Sequence, residues 1–275
     1  MYLNLAPGAV GIGGLNLEQQ IALASETGFE GIDLPVGDAQ VAADPAAAKA
    51  KAEAAGLPFG GFGLPVDFRG DEAGLDALPR HAANAQAAGC TRCYTWIMPR
   101  HDELDYRANF TQHRDRLKPA AACLAEHGIG LGLEFVGPKT LRDGAKHTFI
   151  HTIDQMLELC DAIGTPNMGL LLDCFHWYTS GATREDITTK LRGRIVYVHV
   201  NDARAGRGPD EQIDSERALP CETGVIDIKA FLGGLSDVGY DGPLTAEPFM
   251  PELRDLSPAD CAQRVMTTMR TMMAG

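Results

Sequence analysis

Short apolar segments alternate with amphipathic stretches along the whole chain, and a glycine commonly separates an amphipathic stretch from the next apolar segment. Alternation of this kind predicts strands that alternate with helices. The predicted strands cover residues 3–5, 31–34, 58–62, 92–96, 130–134, 168–173, 195–200 and 243–247. The predicted helices cover about 16–27, 45–56, 71–88, 104–127, 152–163, 184–191, 226–238 and 258–273. The sequence therefore predicts eight strands and eight helices in strict alternation.

The apolar strands, such as residues 169–172, are continuous and not alternating, which suits a parallel sheet that is buried on both faces. Eight βα units in 275 residues have the size of a closed (β/α)₈ barrel. We find no linker or low-complexity tract, so the prediction is an α/β fold with one TIM barrel domain over residues 1–275. The alternative is a doubly wound open sheet with a glycine fingerprint after the first strand. The glycine-rich segment 7–14 has the wrong spacing for that fingerprint, and no helix begins at its last glycine.

The negative net charge of the chain limits the kinds of molecule that it is expected to bind. The chain has 24 Lys and Arg against 37 Asp and Glu, a net charge of −13, which argues against binding to nucleic acid or to anionic lipid. No apolar run reaches the roughly 18 residues of a membrane span, and the first residues lack the pattern of a secretion signal. We therefore expect a cytoplasmic protein that binds a small molecule, with no nucleic-acid or membrane partner. A homo-oligomer is compatible with these features.

The seven cysteines are scattered along the chain, and their odd number fits reduced thiols better than a disulfide framework. Cys90 and Cys93 have the spacing of a redox or zinc motif, but no second pair accompanies them. They also lie at the entry to a predicted strand and not at the start of a helix, where a thiolate would be stabilised. We expect structural cysteines.

The fifth, sixth and eighth predicted strands end in polar side chains and the seventh carries one next to its end: Glu134, Asp173, Glu247 and His199. The carboxyl ends of neighbouring barrel strands meet at one face, so these side chains should converge on one point. A single carboxylate after a strand is commonly a helix cap, but clustered carboxylates repel one another unless a cation lies among them. Three carboxylates and one imidazole favour Mn²⁺, Mg²⁺ or Co²⁺, with Zn²⁺ also compatible. The absence of thiolates and of a second histidine from this set argues against a structural zinc site.

Five segments carry a family resemblance: residues 133–135 (LEF), 172–176 (LDCFH), 198–202 (VHVND), 223–227 (TGVID) and 239–247 (GYDGPLTAE). With them the chain resembles the xylose isomerase-like barrels, in particular the sugar phosphate isomerase and epimerase group. The resemblance covers nearly the whole chain and is densest from residue 130 onward. It implies that the four strand-end residues bind one divalent metal, with Mn²⁺ the first expectation, and that the substrate is a small carbohydrate or polyol.

The resemblance also suggests substrate-binding residues. The family's Asp-x-x-His pattern places His176, three residues after Asp173, against substrate oxygens. A histidine in the loop above a metal-binding strand end is also well placed to bind a polyol, although it could instead cap the next helix. Arg204 is a further candidate, with an offset from His199 that does not match the family cleanly. The neighbouring loops add three more candidates, each of a type that is more often solvated: Lys139, Asn201 and Asp202.

These residues predict a divalent-metal-dependent isomerase or epimerase of a sugar, keto-inositol or related hydroxy-ketone. Glu134 and Glu247 would exchange the proton at the α-carbon through a metal-stabilised enediolate. One alternative is a lyase or dehydratase that acts on a keto-sugar, keto-inositol or dehydroshikimate-type substrate at the same site. Another is a sugar-binding barrel without catalysis, which the presence of both glutamates disfavours.

Two other members of the superfamily fit the chain less well. Endonuclease IV is similar in fold, but it has three zincs, more histidines and a basic groove for DNA, which a net charge of −13 does not match. Xylose isomerase itself carries further carboxylates for a second metal. No such added cluster follows the seventh strand, although three acids leave a small opening for one: Asp202, Asp210 and Asp214.

Overall fold

A computed structural model describes residues 1–69 and 74–275. Its main sheet contains eight strands, named here β1 to β8. They are β1 (Tyr2–Leu5), β2 (Gly31–Ile32), β3 (Phe62–Gly63), β4 (Arg92–Ile97), β5 (Gly130–Phe135), β6 (Met168–Asp173), β7 (Ile195–Val200) and β8 (Pro243–Ala246). The spatial order is β2-β1-β8-β7-β6-β5-β4-β3, and every pairing is parallel.

Backbone hydrogen bonds between β2 and the segment before β3 join the two ends of this order. The Ile32 amide donates to the Pro58 carbonyl at 3.1 Å, and the Gly60 amide donates to the Ile32 carbonyl at 2.8 Å. Leu34 and Gly61 are joined in the same way at 2.8 Å. The sheet therefore curls back on itself, and the predicted TIM barrel is confirmed.

The third strand is shorter than predicted: only Phe62–Gly63 pairs regularly, in place of residues 58–62. Two glycines before it allow other side chains into the barrel interior. A Cβ atom on Gly60 would lie 2.4 Å from Asn4 Oδ1, and one on Gly61 would lie 2.7 Å from the Tyr197 ring. The close approach of these side chains requires glycine here, and glycine weakens regular strand pairing.

Ten α-helices occur in the described residues, so the prediction of eight in strict alternation is wrong. They are α1 (Leu17–Thr27), α2 (Ala39–Ala43), α3 (Pro45–Ala54), α4 (Leu78–Ala87), α5 (Tyr106–Glu126), α6 (Ile153–Ile163), α7 (Cys174–Thr179), α8 (Arg184–Lys190), α9 (Ile228–Asp237) and α10 (Pro258–Ala274). The two additional helices are α2 and α7, with 5 and 6 residues, which is too short for a helical hydrophobic pattern to identify them. Part of the predicted helix over 71–88 lies outside the described residues.

Capping side chains and glycines define the helix ends. Asn16 accepts a hydrogen bond from the Gln19 amide, and the Gln19 side chain accepts one from the Asn16 amide, a capping box at the start of α1. Gly28 ends that helix at φ 82°, a left-handed conformation that glycine adopts without strain. No helix in residues 1–69 and 74–275 combines the length and the apolar character of a membrane span.

The core lies between the helices and the barrel wall, and it includes most of the cysteines. All seven thiols are free, and five are buried: Cys90, Cys93, Cys160, Cys174 and Cys261. Burial raises the pKa of Cys90 to about 12, which leaves its thiol protonated and unreactive at neutral pH. The prediction of structural cysteines is confirmed.

Candidate active site

Four side chains converge at the carboxyl ends of β5 to β8. Glu134 is in β5, Asp173 is the last residue of β6, His199 is in β7, and Glu247 directly follows β8. One ligand atom from each lies within 4.8 Å of all the others. The barrel thus brings together the four residues that the sequence singled out for a metal, and the cluster could hold one divalent ion.

Unpartnered buried atoms mark the centre of this cluster. The His199 Nδ1 atom lies 3.4 Å from Glu134 Oε1, 3.3 Å from Glu247 Oε2 and 3.8 Å from Asp173 Oδ2. Within the described part of the chain, both ring nitrogens of His199 and Glu134 Oε1 are buried without a hydrogen-bond partner. Leaving such atoms unsatisfied is costly. A bound cation would satisfy the carboxylate oxygen and one nitrogen, so these residues fit a metal.

Hydrogen bonds hold Asp173 in one orientation. Its Oδ1 atom accepts from the Phe175 amide at 2.6 Å and from the His176 amide at 3.3 Å, which caps α7. Its Oδ2 atom accepts from Asn201 Nδ2 at 2.9 Å. Asn201 also accepts from the Glu247 amide at 2.9 Å, so it joins the ends of β6 and β8. This predicted substrate residue is fully buried and orients two members of the cluster.

Arg217 is the site residue that sequence reasoning missed. Its side chain is only 1% exposed, and it donates to Asp173 Oδ2 at 3.0 Å and to Glu247 Oε2 at 3.2 Å. It also donates to Asp214 Oδ1 at 2.8 Å. The guanidinium carbon lies 4.8 Å from the ring centroid of Phe175 and 4.5 Å from that of Phe249. Cation–π contacts with these two rings help to hold this charge beside the acidic cluster.

The pKa values of the two glutamates shift in opposite directions. Burial raises the pKa of Glu134 above its usual range. Burial also acts to raise the pKa of Glu247, but His199 and Arg217 outweigh it and lower the pKa to about 2. Burial acts to lower the pKa of His199, yet Glu247 and Glu134 raise it well above its ordinary value. Without a cation, the imidazole therefore carries the positive charge at the centre of the cluster.

The raised pKa of His199 makes the metal-free protein sensitive to alkaline pH. The imidazolium stabilises the fold fully below about pH 6.5, the unfolded value, and this stabilisation is lost as the pH rises through the folded pKa. A cation needs neutral imidazole, so its own stabilising effect grows over the same interval. We expect the gain in Tm on adding Mn²⁺, relative to chelator, to increase from about pH 5.5 to about pH 9. A gain that shrinks as the pH rises would contradict this assignment.

Removing the Arg217 charge should destabilise the protein, because the buried carboxylates of Asp173 and Glu247 would each lose a cationic partner. We expect Arg217→Met to cost roughly 3–5 kcal/mol in metal-free protein. Mn²⁺ should recover more Tm in the variant than in the parent, since a cation replaces the lost charge. Arg264→Met, which removes a pair with Glu222 at the surface, is the control and should cost less than about 1 kcal/mol. Equal losses in both variants would show that Arg217 has no such role.

The structure places His176 in α7, which corrects the expectation that it lies in a loop. Its side chain is 1% exposed, and Nδ1 accepts from the Gly137 amide at 3.3 Å. The Nε2 atom lies 3.2 Å from Arg217 Nη2, 3.8 Å from Asp214 Oδ1 and 3.9 Å from Glu134 Oε1. His176 therefore borders the acidic cluster, and its role toward substrate stays a prediction.

The other predicted substrate residues lie in loop contacts. Lys139 pairs with Asp210 at 3.2 Å, and Arg204 lies 3.9 Å from Glu252. Asp202 is buried and accepts from the backbone amides of Ala203, Thr223, Gly224 and Ile226, which folds the loop after β7. Of the predicted substrate residues, Asn201 and His176 therefore lie at the cluster. The hydrogen bonds of Asp202 stabilise its own loop. Lys139 and Arg204 form ion pairs with acids outside the cluster.

A cleft of about 390 Å³ opens onto the cluster. His199 and Glu247 form part of its wall, and Phe249 lies at its edge with 39% of the residue exposed. Phe249 has φ 45°, an uncommon conformation for a side chain of its size, which directs its ring over Arg217. The cleft is large enough for a small molecule.

This barrel and its cluster of acids belong to a defined family. The chain is a member of the xylose isomerase-like TIM barrel family, whose model matches residues 21–272. The resemblance noted in the sequence is thereby confirmed. A solved structure, a xylose isomerase domain protein from Alicyclobacillus acidocaldarius, is 30% identical with a TM-score of 0.86 and covers 100% of this chain and 98% of that protein.

Curated relatives match over shorter lengths. Inosose isomerase of Halalkalibacterium halodurans is 29% identical over 145 residues, which are 52% of this chain and 47% of that protein. L-ribulose 3-epimerase of Methylomonas sp. is 25% identical over 171 residues, 62% of this chain and 52% of that protein. The chain spans about half the length of these relatives in the matched regions.

Proposed function

We propose that this chain is a divalent-metal-dependent isomerase or epimerase of a sugar, keto-inositol or related hydroxy-ketone. The observation that carries the proposal is the buried cluster of Glu134, Asp173, His199 and Glu247, with ligand atoms within 4.8 Å of one another. The names of the relatives support the same reaction class, since they are an isomerase of inosose and a 3-epimerase of ribulose.

The four residues of the cluster would hold one divalent ion, for which Mn²⁺ is the first candidate and Mg²⁺, Co²⁺ and Zn²⁺ are alternatives. When bound, such an ion would polarise a carbonyl and the hydroxyl on the adjacent carbon, and so would acidify the C–H bond of that hydroxyl-bearing carbon. The chain's own contribution is to hold the carboxylates in place. Asn201 and Arg217 do so through hydrogen bonds to Asp173 and to Glu247.

Glu134 and Glu247 would transfer the proton at the α-carbon. They come from β5 and from the end of β8, which lie on opposite sides of β7 in the strand order, so they would reach opposite faces of a carbon bound between them. One carboxylate removes the proton, and the other returns a proton to the opposite face or to the neighbouring carbon. The first outcome is epimerisation, and the second, with proton exchange between the oxygens, is isomerisation.

His176 would donate a hydrogen bond to a substrate oxygen beside Glu134. We expect His176→Ala to leave the metal content unchanged and to lower kcat or raise KM by roughly 10- to 1,000-fold. The neighbours Phe175 and Trp177 are buried and exclude water, which strengthens that hydrogen bond. Metal content, Tm and turnover should be measured on this variant. A lower Tm with normal turnover of the folded fraction would show a purely structural histidine.

Solvent exchange tests the proposal before the natural substrate is identified. Metal-loaded protein is incubated in D₂O with a panel of ketoses, inososes and hydroxypyruvate, and the products are separated. We expect deuterium at an α-carbon of at least one compound, together with an epimer or isomer. Loss of water to give an unsaturated product would instead support the dehydratase alternative. Binding without exchange across the panel would support a non-catalytic barrel.

A further inference from the structure

We propose that Asp33 and Tyr94 bind a substrate hydroxyl remote from the reacting carbon, so that the substrate is an uncharged polyhydroxylated ketone and not a phosphate ester. This inference rests on the proposed function for its reacting end. Asp33 directly follows β2, and Tyr94 is in β4. Both line the same cleft of about 390 Å³ as His199 and Glu247.

The Asp33 carboxylate is buried, borders the cleft and is held by three side chains. Its Oδ1 atom accepts from Asn4 Nδ2 at 2.9 Å and from the Tyr197 hydroxyl at 2.6 Å. Its Oδ2 atom accepts from the Tyr94 hydroxyl at 2.6 Å. A carboxylate offers about four acceptor positions, and three are used here. The remaining position, on Oδ2, suits a hydroxyl donor that enters the cleft.

Tyr94 connects this carboxylate to the acidic cluster. Its ring centroid lies 5.8 Å from that of His199 in an edge-on contact, while its hydroxyl bonds to Asp33. A molecule that reaches the cluster along this cleft therefore passes the Tyr94 hydroxyl and Asp33. The Tyr94 oxygen keeps its lone pairs free when it donates to Asp33, so the pair offers acceptors to a substrate with several hydroxyls.

The cleft beside Asp33 disfavours an anionic substrate end, whereas His199 and the proposed ion lie at its reacting end. Its lining residues in the described part of the chain include two acids, Asp33 and Glu247, and neither lysine nor arginine. A phosphate group is normally bound by arginine, lysine or a row of backbone amides. Placed beside Asp33, a phosphate would meet a like charge at a site with little water. A neutral hydroxyl would instead complete the hydrogen bonding of the carboxylate.

Tyr197 provides a matched control, because it bonds to the same carboxylate from inside the barrel. It is fully buried and is not part of the cleft wall, whereas Tyr94 is. Removal of either hydroxyl takes one hydrogen bond from Asp33 and leaves the ring in place, and Tyr197→Phe also removes contacts with Asn4 at 3.0 Å and with Thr245 at 2.7 Å. A structural role for Asp33 predicts equal effects of Tyr94→Phe and Tyr197→Phe. A substrate role predicts that only Tyr94→Phe changes ligand binding.

Calorimetric titration of Mn²⁺-loaded protein with sorbitol and with sorbitol 6-phosphate tests the inference without turnover. We expect sorbitol to bind at least about 10-fold more tightly than its phosphate ester. Asp33→Asn and Tyr94→Phe should each weaken sorbitol binding by roughly 10-fold, the loss of one hydrogen bond to a charged or polar group. Tyr197→Phe should lower Tm and leave sorbitol affinity within about 3-fold.

Tighter binding of the phosphate ester, no binding of sorbitol, or equal effects of the two tyrosine variants would each overturn the inference. The Tm of each variant, measured in parallel, identifies a protein that has failed to fold. If Asp33→Asn does not fold, Tyr94→Phe and Asp33→Glu replace it, and their affinities for sorbitol are compared with that of Tyr197→Phe. Sorbitol selectivity in a protein that shows no α-carbon exchange would reject the proposed reaction and retain this binding site.

Discussion

Glu134→Gln and Glu247→Gln should each reduce α-carbon exchange and turnover by roughly 10²- to 10⁴-fold, the usual contribution of a positioned general acid or base. Glutamine keeps the shape of the side chain and an oxygen ligand but cannot accept the α-proton. Both glutamates are within 3.4 Å of His199 and belong to the same cluster, so a single reacting carbon can contact both. Deuterium incorporation by metal-loaded protein is the measurement.

Two comparisons make this result specific. Metal content must be measured on each variant, because loss of the ion would remove activity by another route. Glu158→Gln, an exposed glutamate on α6, is the control and should have normal activity. Full exchange activity in either site variant with metal bound would remove that glutamate from the proton-transfer step.

His199→Ala should lower the affinity for Mn²⁺ by at least about 100-fold and lower activity in parallel, because the cluster has no other nitrogen ligand. The increase in Tm that Mn²⁺ gives to the parent should also disappear, since a ligand that does not bind cannot stabilise the fold. Equilibrium dialysis with metal analysis gives the affinity, and thermal denaturation gives the stabilisation.

His127→Ala is the matched control for this variant. His127 follows α5 and hydrogen-bonds to Gln86, so its loss should leave Mn²⁺ binding unchanged. Full occupancy in His199→Ala at the Mn²⁺ concentration that saturates the parent would mean that the ion binds elsewhere.

The candidate metal cluster is predictable from the sequence because each member lies at or next to the carboxyl end of an apolar strand. Strand ends in a parallel barrel share one face, so the position of Glu134, Asp173, His199 and Glu247 along the chain implies their position in space. The alternation of apolar strands with amphipathic helices along the chain also predicts the barrel. It does not predict how short the third strand is, because glycines make room there for Asn4 and for Tyr197 and interrupt regular pairing.

Arg217 is not predictable in this way. It lies in the long polar segment between β7 and α9, where no strand or helix period relates it to Asp173, 44 positions earlier. Its partner Glu247 is 30 positions later. His176 lies in a six-residue helix, which is too short to show a hydrophobic period. The sequence gives its separation from Asp173 along the chain but does not predict which residues surround it. Burial of a charged side chain in a loop depends on tertiary contacts alone.

Diffraction data from crystals grown with Mn²⁺, collected at the manganese absorption edge, show where the ion binds. We predict one anomalous peak, within coordination distance of Glu134, Asp173, His199 and Glu247 together. Glu247 should then contact both the ion and Arg217, since the guanidinium already lies 3.2 Å from its carboxylate. A peak that contacts none of these residues, or no peak at saturating Mn²⁺, would show that the four residues do not form a metal site.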